Sequence, residues 1–218
     1  MIKCRLIPLF AVLLATNASF AVTPEYGVNT YLHEVGYGRI MVSVPTLHGV
    51  EPTALRGIVV RIPGDNGSTA APADPRLHKW LYENGLAFWG SRAMAKPFTT
   101  TILAQFGADY FPDRPEFPNL PVLVYGASSG GDHAFIAAYD YSSRVIAAAP
   151  EHSRNFLRSR GPFVDPPYST HILDVPMYFR WGEWDWSRFT DGYGYKLLPT
   201  MAQGPHHWMF VYESRLVH

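Results

Sequence analysis

The stretch that most constrains this chain is Pro121-Val122-Leu123-Val124-Tyr125, which runs straight into Gly126-Ala127-Ser128-Ser129-Gly130-Gly131. The first five residues read as a buried strand, and the residues after Gly130 suit a helix as far as Tyr139. A serine at a tight strand-to-helix turn has its oxygen pushed out of the sheet, and only small neighbours let the backbone turn so sharply. The start of the helix also aims N–H groups and a partial positive charge at any anion forming nearby. Ser128 is therefore the candidate nucleophile, and the glycine framing favours it over Ser129. The competing interpretation is a plain Gly/Ser turn joining strand to helix.

The rest of the chain alternates in the same way. Strands are expected over 39–44, 57–62, 86–89, 121–125, 145–149 and 177–181, with a weaker one near 196–201. Asp74-Pro75 reads as an N-cap and first-turn proline, and Asn84-Gly85 as the stop of that helix. A second helix is expected over 100–106, ended by Gly107. This order implies an α/β fold, a mostly parallel sheet with helices on both faces. Ligands of such sheets bind beyond the carboxyl ends of the strands.

With 218 residues, 47% of them hydrophobic, there is enough chain for one compact domain over 22–218. Lys and Arg (18) balance Asp and Glu (18), so neither a nucleic acid nor a membrane surface is an expected partner. Residues 1–21 read as an export signal. Lys3 and Arg5 supply positive charge, 6–15 form a short apolar run, and Ser19 and Ala21 are small residues before a cleavage point. The run falls short of the roughly 20 apolar residues that span a bilayer, so no anchor is expected after cleavage. The expected location is secreted or periplasmic. Cys4, the only cysteine, leaves with the signal, which excludes a disulfide, a thiolate nucleophile and a cysteine-based metal site.

The segment from Val122 to Gly131 resembles the nucleophile elbow of the α/β-hydrolases, and Gly131 resembles secreted esterase and polyester-depolymerase-like branches. The likeness runs from Gly57 to His207. It implies an acid and then a histidine downstream of the serine. Pro176-Met177-Tyr178-Phe179-Arg180-Trp181-Gly182-Glu183-Trp184-Asp185 resembles the family's strand ending in G-x-x-D, which points to Asp185 as the acid, with Glu183 and Glu151 as alternatives. Gln203-Gly204-Pro205-His206-His207-Trp208 resembles the late histidine loop, where His207 matches best and His206 is its rival. The oxyanion donors implied are the backbone N–H groups of Ser129 and of Asp65, with Asn66 close behind.

Two features depart from the family pattern. A strand near 196–201 leaves only ten residues after Asp185, short for a parallel crossover. The stretch after His207 is short for a closing helix, so a minimal cap and a shortened C-terminal end are expected. The implied activity is hydrolysis of a small-molecule or polymeric carboxylic ester through an acyl-enzyme, with no cofactor or metal. Trp184, Trp186 and Trp208 flank the proposed acid and base and are candidates for an aromatic pocket wall. A peptidase with the same triad, or a binding scaffold without turnover, would carry the same motifs.

Overall fold

The computed structural model describes residues 25–35, 38–64, 73–91, 100–152, 174–182 and 208–213. Their strands are β1 (Tyr26–Val35), β2 (Gly38–Leu47), β3 (Gly57–Ile62), β4 (Leu86–Ser91), β5 (Val122–Ala127), β6 (Val145–Glu151), β7 (Met177–Gly182) and β8 (Trp208–Glu213). Their helices are α1 (Pro75–Asn84), α2 (Thr100–Tyr110) and α3 (Ser129–Asp140). One sheet contains all eight strands in the order β1-β2-β4-β3-β5-β6-β7-β8. β1 pairs antiparallel with β2, and β2 antiparallel with β4; every other pair is parallel. The α/β expectation holds.

β3 and β4, at the centre of the sheet, are buried on both sides because helices cover both faces there. The larger core gathers Ile58, Val60 and Ile62 of β3, Val122 and Val124 of β5 and Phe179 of β7 with Leu103 and Phe106 of α2 and Ala134 and Phe135 of α3. A smaller cluster of Val59, Leu81 and Phe88 lies where α1 packs on the sheet. Asp74 caps α1 by accepting from the Arg76 amide at 2.9 Å, and Gly85 ends it in the left-handed region at φ 64. Both ends of α1 were legible from those residues.

One expectation changed, and two strands were not anticipated. Gly107 does not end α2, which continues to Tyr110. A Cβ at Gly107 would stand 3.1 Å from Pro118 and 3.3 Å from Phe117, so this glycine serves the close approach of the following 3-10 turn (Phe117–Asn119). β1 was not anticipated. The strand expected near 196–201 lies outside the described residues, and the strand paired with β7 is β8 at Trp208–Glu213. That leaves residues 183–207 for the crossover, so the spacing is not compressed. No helix among the described residues is long and apolar enough to cross a membrane.

Candidate active site

Ser128 stands between β5 and α3 at φ 58, ψ −127, a backbone conformation that L-residues with a side chain rarely adopt. The two framing glycines show why the turn is so tight. A Cβ on Gly126 would meet the Gly130 carbonyl and stand 2.7 Å from the Ile62 carbonyl oxygen. A Cβ on Gly130 would overlap the backbone of Ile62 and Pro63. The ends of the paired strands β3 and β5 and the start of α3 thus meet with no room for side chains between them. Three backbone bonds fix the serine: its amide donates to the Glu151 carbonyl at 3.0 Å, and its carbonyl accepts from the Gly131 amide at 2.9 Å and the Asp132 amide at 3.4 Å.

The loop leaving β3 comes up beside this serine. A Cβ on Gly64 would stand 3.4 Å from the Ser128 Cβ and 3.9 Å from its Oγ. Ser129 is the first residue of α3, where backbone N–H groups have no partner inside the helix. The β3 loop and the α3 amino end therefore flank Ser128 together. Asp65 and Asn66, the expected loop donors, lie outside the described residues.

On the opposite flank lies the end of β6. Glu151 pairs with Ala127 on one side and Arg180 on the other, and its carboxylate is 3.9 Å from the Arg180 guanidinium. Tyr125, two residues before the end of β5, has its hydroxyl pKa raised. Burial is the main cause, nearby Glu151 adds to it, and Arg61 opposes it. His152 follows Glu151 at φ 46, its amide donating to the Arg180 carbonyl at 2.8 Å. No sequence motif marks His152. Aligning the carboxyl ends of the two neighbouring strands would have placed it beside Ser128.

Glu183, Trp184, Asp185, Trp186, His206 and His207 lie outside the described residues. Trp208 opens β8 opposite Met177; Met177 pairs with Ala148, and Ala148 with Val124. The Trp208 backbone is therefore level with the middle of β5 and three strands away. At about 3.3 Å per residue it falls about 13 Å short of Ser128 along the strands. The structure thus places the Trp208 backbone in the sheet, at the first residue of β8.

No family model matches the chain, and no curated protein matches its sequence. Solved structures do match. A dienelactone hydrolase from Anabaena variabilis is 21% identical with a TM-score of 0.53, and the match covers 88% of each chain. A feruloyl esterase module from Clostridium thermocellum is 11% identical with a TM-score of 0.56, covering 89% of this chain and 82% of that one. Poly(aspartic acid) hydrolase-1 from Sphingomonas sp. KT-1 is 11% identical with a TM-score of 0.53, covering 88% of this chain and 93% of that one. At such identities the likeness concerns architecture, and it agrees with the strand order and with the serine turn after β5. The chain has the α/β-hydrolase fold.

Proposed function

We propose that the chain is an exported serine hydrolase that cleaves a carboxylic ester through an acyl-enzyme on Ser128. The observation that carries this reading is the strained backbone of Ser128 at the start of α3, with Gly64 of the β3 loop beside it. Strain of this kind persists where the surroundings impose it, and it clusters at functional sites. A serine hydroxyl needs a base, and the base an orienting acid. A histidine takes the Ser128 proton as Oγ bonds to the ester carbon, and it is resemblance alone that assigns this base to His207, with His206 the alternative. Asp185 orients the imidazole, with Glu183 or Glu151 as alternatives. The N–H groups of Ser129 and Asp65 hold the oxyanion, each donor lowering the barrier by about 3 kcal/mol. The ester C–O bond then breaks, and the alcohol departs with the proton from the histidine. Water attacks the acyl group by the reverse proton path, releases the acid and restores Ser128. Trp184, beside the acid, is assigned to the pocket wall. The signal at 1–21 accounts for export.

Fluorophosphonate labelling of the folded protein tests this reading. The expected adduct is on Ser128, accompanied by a burst of p-nitrophenol from p-nitrophenyl esters. A folded protein that takes no label and turns over no ester would instead be a binding scaffold.

A further inference from the structure

We infer that His152 contacts a substituent of the bound ester and selects for an aromatic group there, an inference that rests on Ser128 being the nucleophile. Ala127 and Glu151 are paired at the carboxyl ends of β5 and β6, so Ser128 and His152 are the first residues beyond two adjacent strands. Neighbouring strands lie about 4.8 Å apart, and the Ser128 amide is bonded to the Glu151 carbonyl, one residue before His152. His152 is fixed in turn to β7 through its amide and the Arg180 carbonyl.

Its backbone is left-handed at φ 46, like that of Ser128 at φ 58. Histidine, like asparagine and aspartate, enters that region more often than other side chains, as His48 also does at φ 53, so the backbone angle by itself assigns the imidazole no role. The flanks of Ser128 give the ring a role. Gly64 and the start of α3 occupy the side to which the ester oxygen must point. The carbonyl carbon is trigonal, so the acyl chain and the alcohol diverge on the side away from that oxygen. β6 ends on that side, and His152 is half-buried there. An imidazole is flat, packs against other rings and offers a hydrogen bond at its edge, which suits an aromatic substituent.

The test compares wild type, His152→Ala and His152→Asn; asparagine tolerates the left-handed backbone and guards against a variant that fails to fold. Two substrate pairs are used, p-nitrophenyl benzoate against p-nitrophenyl acetate, and phenyl acetate against ethyl acetate. The expected result is a fall of at least fivefold in the aromatic-to-aliphatic ratio of kcat/KM, in one pair, for both variants. Equal changes across all four substrates, or no change, would overturn the inference while leaving the nucleophile in place. Absence of fluorophosphonate labelling on wild-type Ser128 would overturn both together.

Discussion

The Ser128 amide donates to the Glu151 carbonyl at 3.0 Å, and this bond holds the serine at φ 58, ψ −127. Glycine adopts such angles without steric cost. Ser128→Gly should therefore raise stability by about 1 kcal/mol, the relief of strain exceeding the extra entropy glycine loses on folding. The same variant should lose ester hydrolysis by about a thousandfold or more, since the nucleophile is gone. Urea unfolding and a p-nitrophenyl ester assay check the two halves. A destabilised Ser128→Gly would show that the turn carries no strain to release.

The framing glycines lead to the opposite sign. Alanine at Gly126 or Gly130 would drive a methyl group into backbone atoms of Ile62 and its neighbours, which cannot yield as a side-chain tip can. Each substitution should cost about 3 kcal/mol or more, beyond ordinary overpacking, or abolish soluble expression. Alanine at Gly64 is a useful control. Its Cβ would meet nothing closer than 3.4 Å, so stability should change by about 1 kcal/mol or less. Thermal unfolding of the three variants side by side gives the ranking.

Far from the elbow, the Tyr31 hydroxyl donates to Glu51 at 2.6 Å, and Arg114 donates to the other oxygen of that carboxylate at 2.9 Å. Burial, then the bond to Glu51, pushes the Tyr31 pKa up from 10.0 to about 12. A folded-state pKa above the unfolded one means that the folded protein holds this proton more tightly. The stabilisation is complete below pH 10 and is lost as the pH rises through about 12. Tyr31→Phe should flatten the fall in stability between these values and lower stability at neutral pH by about 1 kcal/mol. Denaturant midpoints measured from pH 8 to 12 decide it; parallel curves for both proteins would remove Tyr31 from the alkaline transition.

How legible each element was follows from how local its cause is. β3 runs from Gly57 to Ile62 as expected, and α1 is bounded by Asp74 and Gly85, because a continuous apolar run and two caps are properties of neighbouring residues. β1 escaped because its pattern misleads. Tyr31 and His33 turn inward against Phe111 and Phe106, while the apolar Leu32 faces out at 41% exposure. Those inward residues depend on α2, some 70 positions later, which no local periodicity can convey. β8 was hidden because Trp208 was assigned to the histidine loop, although Trp208–Glu213 is rich in aromatic and β-branched residues. At the site, the serine turn was readable because Gly126 and Gly130 record a close approach of backbone to backbone. His152 was not, since its place depends on the register of two strands.

That register makes the base the most informative position to test. Resemblance points to His207 and then His206, and the residue after them starts β8 level with Val124. If the chain before β8 supplies the base, one of these two histidines controls proton transfer. His207→Ala should then lower kcat by about a thousandfold with little change in KM, as expected for a group acting mainly in the transition state. His206→Ala should cost less than about tenfold. In wild type, kcat/KM should rise with pH along a limb near the ordinary histidine value of about 6.5, and His207→Ala should lose that limb. Fluorophosphonate labelling of Ser128 should slow in step with turnover. A large loss in His206→Ala with a small one in His207→Ala would move the base by one residue. Two mild variants would place it outside the segment that leads into β8, and the triad would need another histidine.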